Sequence, residues 1–335
     1  MGPPPSDFPD IDFSASRPLS EEPIHLPPPP TPSYRLRPEP LWRYVILFTL
    51  TVLTTTYAGS LAYASYYLPF STQPVAFSLG LLAHGLWYSF PVIAILGAHE
   101  FGHYFACRYY QVDASLPYFL PLPLPFFSSG TLGAVIRIRQ RIPAKRALFD
   151  IGIAGPIAGF AVAVPVLLVG MYLSNVIRLP TDFGGDVIEL GEPLLFQAAE
   201  WLTFGTLPAG YSVNMHPMAF AAWFGMLATA LNLFPIGQLD GGHISYAVLG
   251  RRSTIVTIAM VLCLVGLTFV SSSWVVWTVL TVVMLLTFGP HHPRTVDEEI
   301  PLDTGRLWLA AFALLMFVLC FTPAPIQAGA LVGRH

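Results

Sequence analysis

Charge is what this sequence has least of. Only 10% of its 335 residues are Asp, Glu, Lys or Arg, against roughly a quarter in soluble domains. That deficit argues against an ordinary water-soluble globule. A formal net charge of −3, with the basic residues scattered, excludes an electrostatically recruited nucleic acid as partner. Cysteine is scarce as well. Cys107, Cys263 and Cys320 have no regular spacing, and each falls in or at the edge of an apolar run, so they form no disulfide framework and read as packing residues. The chain opens Met-Gly-Pro-Pro-Pro without a basic segment leading into an apolar one, and no cleaved signal peptide is expected.

Apolar residues fill the space that charge leaves, at 54% of the chain. A hydrocarbon core needs about 20 apolar residues per helix, and runs near that length predict seven spans, at about 44–68, 76–108, 148–173, 216–236, 253–271, 274–290 and 306–322. The second is too long for one straight helix. Pro91 within it predicts an interfacial piece followed by the spanning helix. Ahead of the spans, residues 1 to about 40 are proline-rich, including Pro27 to Pro30, and lack hydrophobic periodicity, so a disordered tail is expected. A proline-rich docking motif is the alternative reading. The expected fold class is an all-α polytopic membrane protein with about seven transmembrane helices. Its parts are a tail (1–40), a core (41–290), and a loop with a C-terminal span (291–335).

Cytoplasmic loops carry the excess of Lys and Arg. Alternating the spans collects Arg17, Arg35, Arg37, Arg43, Arg108, Arg137, Arg139, Arg141, Lys145, Arg146, Arg251, Arg252, Arg294 and Arg306 on one side, and leaves Arg178 and Arg334 on the other. This predicts a cytoplasmic N-terminus and an external C-terminus. The acidic loop holding Asp182, Asp186, Glu189, Glu192 and Glu200 would lie outside. The expected location is a bacterial cytoplasmic membrane, with the lipid bilayer as partner.

One stretch in the second span carries chemistry: Leu96-Gly97-Ala98-His99-Glu100-Phe101-Gly102-His103. In a helix, His99 and His103 are one turn apart on the same face and can share one zinc ion. Glu100 beside them suits a general base for a metal-activated water. Hydrolytic zinc takes a third protein ligand, and the fourth expected span ends Asn232-Leu233-Phe234-Pro235-Ile236-Gly237-Gln238-Leu239-Asp240-Gly241-Gly242. Pro235 is expected to break this helix and leave Asp240 on irregular backbone beside protein or a watery cavity. Asp240 meets the requirement for a ligand. An Asp capping the next helix is the plainer alternative, and His243 is a rival ligand. Asp150 could cap a helix, pair with Arg146 or orient a ligand histidine, with capping ranked first. His84, His216, His291 and His292 read as packed or interfacial.

Taken together, His99-Glu-Phe-Gly-His103 and Asn232-x-x-Pro235-x-x-x-Leu239-Asp240-Gly241 resemble the site-2 protease family of intramembrane zinc metalloproteases. Ala154-Gly155-Pro156-Ile157-Ala158-Gly159 resembles that family's small-residue motif, where glycines let helices approach closely. The resemblance covers about 90–290. It implies one zinc per chain held by His99, His103 and Asp240, with Glu100 as general base. It also implies that Asn232 contacts substrate or transition state, though that amide could equally hold the helix break together. The family's core carries a small membrane-associated β-hairpin near Gly130-x-x-Gly133. The resemblance makes these glycines a substrate-binding edge for an unwound transmembrane segment, while a ribbon without a substrate role is the alternative. The implied activity is hydrolysis of a peptide bond within a transmembrane protein substrate, near the cytoplasmic face. The rival class is a metal-ion transporter, which would spread its ligands along a path. Substrate identity and oligomeric state are not legible.

Overall fold

The computed structural model describes residues 39–329 except 72–75, 77, 123–128, 141, 143, 181–186, 290–294, 296 and 298–299. The proline-rich tail therefore lies outside the described residues, as do Asp182, Asp186, His291 and His292. Helices dominate the rest: α1 (Leu41–Tyr67), α2 (Leu79–His84), α3 (Leu86–Tyr109), α4 (Lys145–Leu173), α5 (Leu194–Phe204), α6 (Pro217–Asn232), α7 (Asp240–Leu249), α8 (Ser253–Thr268), α9 (Ser273–Phe288) and α10 (Thr304–Cys320). Three two-stranded antiparallel ribbons accompany them: β1 (Tyr118–Pro121) with β2 (Thr131–Val135), β3 (Asn175–Arg178) with β5 (Tyr211–Asn214), and β4 (Val187–Leu190) with β6 (Ile326–Gly329).

Among the described residues, four stretches are long and apolar enough to cross a membrane: Leu41–Tyr67, Leu79–Tyr109, Lys145–Leu173 and Asp240–Leu267. Seven were expected. The difference is one of length, since α6 and α9 have 16 residues and α10 has 17, short of the roughly 20 that a straight crossing requires. The expected fifth span begins earlier than its apolar run implies, because a 3-10 turn at Gly250–Arg252 joins α7 to α8.

Pro91 does not divide the second span. It is buried inside α3, and the break falls upstream, at Gly85. Crossing geometry is the reason: a Cβ on Gly85 would stand 1.9 Å from the Thr56 carbonyl oxygen, and one on Gly59 would stand 2.3 Å from that of Gly85. Small residues thus let α1 and α3 touch backbone to backbone. Thr55 and Ser89 join their hydroxyls at 2.7 Å across the same crossing, a bond worth about 0.6 kcal/mol between membrane helices.

α4 is the central helix, packed against α3, α6, α7 and α10. Leu167, Met171, Trp223 and Met226 form one apolar cluster between α4 and α6, and Phe149, Ile153, Ile244 and Met316 form another between α4, α7 and α10. The reverse of this packing is an outward apolar surface. Leu53, Leu262, Val279, Leu286 and Leu314 are all exposed, which suits a hydrocarbon solvent in which apolar side chains carry no penalty.

Candidate metal centre

The helical spacing of His99 and His103 places their rings on one face of α3, with centroids 4.8 Å apart. Asp240 comes to them from α7. Its Oδ2 lies 3.2 Å from the Nε2 of each histidine, and the two Nε2 atoms are 3.1 Å apart. Three ligand atoms thus form a near-equilateral triangle. Tetrahedral ligands at about 2.0–2.1 Å from a zinc ion are about 3.3–3.4 Å from one another, so the triangle fits that ion. Both imidazoles are buried, as is Glu100. Among the described residues, no other group of three His, Cys, Asp or Glu side chains gathers its ligand atoms in this way.

A backbone carbonyl orients His103. Its Nδ1 is 2.7 Å from the Ile151 oxygen on α4, so Nδ1–H donates and the Nε2 lone pair faces the triangle. Sequence reasoning missed Ile151, because a carbonyl is offered by every residue and leaves no side-chain signal. The small-residue motif of α4 has a sharper role than helix approach alone. A Cβ on Gly155 would stand 2.1 Å from His103 Nε2, and one on Gly159 would stand 3.1 Å from His99 Cβ. Each glycine leaves room for one imidazole.

Asp240 is not on irregular backbone. The break occupies the residues between Asn232, which ends α6, and Asp240, which opens α7. Its carboxylate stands at the positive end of that helix. The turn is compact, since Cβ atoms on Gly241 and Gly242 would lie 2.0 Å from the Leu233 oxygen and 2.3 Å from the Gly237 oxygen. Asn232 reaches the cluster, with Nδ2 3.2 Å from His99 Nε2. His243 lines the same cavity but is outside the three-residue group.

That cavity, of about 560 Å³, is bounded by His99, Glu100, His103 and Asp240 on one side and by Ala134–Ile136 on the other. Ile136 and Glu100 both line it. Gly130 and Gly133 are set back from it. Both have positive φ, +70° and +109°, and a Cβ on Gly130 would meet the Thr54 oxygen at 2.5 Å. They shape the ribbon, whose residues just beyond them face the cavity. Tyr88 fastens this ribbon by donating to the Ser129 carbonyl at 2.9 Å.

Asp150 does not cap α4, whose first residue is Lys145. It binds Arg306 of α10 instead. His84 stacks on Tyr63 with centroids 4.2 Å apart, and His216 caps α6 by accepting from the Met218 N–H. His216 is buried, whereas His84 is exposed and only its ring is stacked. The three cysteines are free.

Comparison with known proteins places the chain in a family. The family model described as Peptidase family M50 matches residues 87–272. A probable zinc metalloprotease EGY1, chloroplastic, of Arabidopsis thaliana is 28% identical over 308 residues, covering 85% of this chain and 54% of that protein. A probable zinc metalloprotease EGY2, chloroplastic, of Oryza sativa subsp. indica is 32% identical over 248 residues, covering 72% and 43%. The chain spans about half the length of the curated relatives it matches. No solved structure matches. Those relatives are chloroplast proteins by name, and a bacterial cytoplasmic membrane finds no support among them. A family match over more than half of the residues, together with long apolar helices, means that the chain belongs to peptidase family M50, the site-2 protease family, and is an integral membrane protein.

Proposed function

We propose that this protein is an intramembrane zinc endopeptidase that cuts a transmembrane segment of another membrane protein near the cytoplasmic face. The observation that carries the proposal is the convergence of His99 Nε2, His103 Nε2 and Asp240 Oδ2 beside a buried carboxylate, Glu100. His99, His103 and Asp240 would hold one zinc ion, which would supply an acidified water and a polarised scissile carbonyl. Glu100 accepts a proton from the attacking water and returns it to the leaving amine. Asn232, beside His99, donates its amide to the substrate carbonyl. The edge at Ala134–Ile136 pairs with an extended substrate, since a helical peptide bond is shielded until the segment unwinds. Gly130 and Gly133 serve by giving that edge its shape. A transporter would distribute ligands along a path, whereas these three meet at one point.

The same reading places the N-terminus and the loop at 137–146 in the cytoplasm, with Glu189 and the C-terminus outside. Pairing of β4 with β6 supports this sidedness, because it ties Glu189 to the C-terminal segment. The test of function is a purified chain incubated with a model transmembrane substrate: cleavage that requires zinc and is abolished by chelation is expected, and cleavage indifferent to chelation would refute the reading. Tags at residue 20, in the 137–146 loop and after Arg252 should be protected from external labelling. A 137–146 tag labelled from outside would reverse the orientation.

A further inference from the structure

The C-terminal segment, which lies beyond the residues matched by the family model, grips α4 directly behind the metal centre. Arg306, at the start of α10, presents its guanidinium fork to Asp150, with Nε 2.8 Å from Oδ1 and Nη2 2.5 Å from Oδ2. Tyr110, at the end of α3, donates to the same carboxylate, and Asp303 braces the guanidinium from the other side. A second grip lies upstream. Asp297 accepts the backbone N–H of Lys145, the first residue of α4, at 2.6 Å, supplying from far along the chain the cap that Ala144 does not. Thr295 N–H also reaches the Tyr246 hydroxyl on α7 at 3.4 Å. The residue that follows Asp150 is Ile151, whose carbonyl orients His103.

We propose that Arg306 and Asp150 form a positioning pair for the metal centre, in which the C-terminal segment fixes the first turns of α4 and so sets the Ile151 carbonyl that aims His103. Neither side chain touches the ligand triangle. Their influence passes through the backbone of α4, where Asp150 directly precedes Ile151, the residue whose carbonyl holds His103 Nδ1. Partners that orient ligands typically change metal affinity by about 10- to 100-fold when removed. A bidentate Arg–carboxylate pair fixes direction as well as distance, which a lysine cannot reproduce.

The inference rests on the zinc reading, and the two can fail separately. Zinc affinity is measured by chelator competition on the full chain in detergent, alongside the visible spectrum of the Co(II)-substituted protein, which reports ligand geometry independently of activity. Arg306→Gln and Asp150→Asn should each weaken zinc binding by about 10- to 100-fold and shift the cobalt bands. The double variant should be no worse than either single one, and Arg306→Lys should fall between Arg306→Gln and the unmutated chain. Met316→Ala, which loosens α10 without touching the pair, should leave the cobalt spectrum unchanged. If Arg306→Gln misfolds, Asp150→Asn alone carries the test. Unmutated affinity and spectrum in whichever of these variants folds, or an equal spectral shift in Met316→Ala, overturns the inference. An unmutated chain that binds no zinc overturns both it and the function proposed above.

Discussion

Gly155 lies directly beneath the His103 imidazole: a Cβ built on it would stand 2.1 Å from Nε2, the atom that faces Asp240. No side-chain rotation relieves that overlap while the ring also keeps its bond to the Ile151 carbonyl. Gly155→Ala is therefore expected to leave a membrane-inserted chain that has lost most of its zinc. Elemental analysis of the purified variant checks it, and a full equivalent of zinc would show that His103 can bind from a different position.

Glu100→Gln keeps the shape of the side chain and its place in the cavity but removes the proton acceptor. Zinc content should stay at one per chain while cleavage of a transmembrane substrate falls by roughly 100- to 10,000-fold. Near-normal turnover would assign the base elsewhere.

Asp240 belongs to the three-ligand group, and His243 lines the same cavity outside it. Asp240→Ala leaves two imidazoles and should lose zinc together with proteolysis, whereas His243→Ala should retain about one zinc, since three ligands and a water complete the site. The reverse pattern in metal analysis would replace Asp240 with His243 in the ligand set.

Glu39, just before α1, accepts hydrogen bonds from Tyr118 and Tyr44 and pairs with Arg139 at 2.5 Å. The Tyr118 hydroxyl first, then Tyr44 and Arg139, hold its carboxyl down from 4.5 to about 2. A depressed carboxyl contributes stability in full above its unfolded value and loses it as pH falls through the folded one. The tie between the chain entry and the ribbon should therefore weaken from about pH 4.5 downward toward pH 2. Thermal unfolding of the unmutated chain should decline over that window more steeply than that of Glu39→Gln. Parallel curves would mean that the cluster contributes nothing.

How much of the site was legible depends on the kind of atom involved. His99, Glu100 and His103 announce themselves because helical spacing converts directly into a shared face. Asp240 was nominated by a requirement for a ligand at the same depth, and its backbone was misjudged: Pro235 does end α6, but the chain re-forms a helix at Asp240. Pro91 was also overread as a break, because the real one comes from the Gly59–Gly85 crossing, a contact between distant residues. Gly130 and Gly133 were singled out by their motif, while the ribbon meets the cavity through Ala134–Ile136, one register step that only the pairing of β1 with β2 decides.

What the sequence by itself made legible was the solvent and the direction of the chemistry: long uncharged runs call for a bilayer, and two histidines and a glutamate in one helical turn point to a metal-centred use. Tertiary structure alone decided what aims those groups. A carbonyl of Ile151, bare backbone at Gly155 and Gly159, and an arginine more than 150 residues beyond the carboxylate it binds have no local pattern to betray them. Their roles exist only once α4 is packed against α3 and α10, because orientation is a property of contacts between helices and not of any single helix.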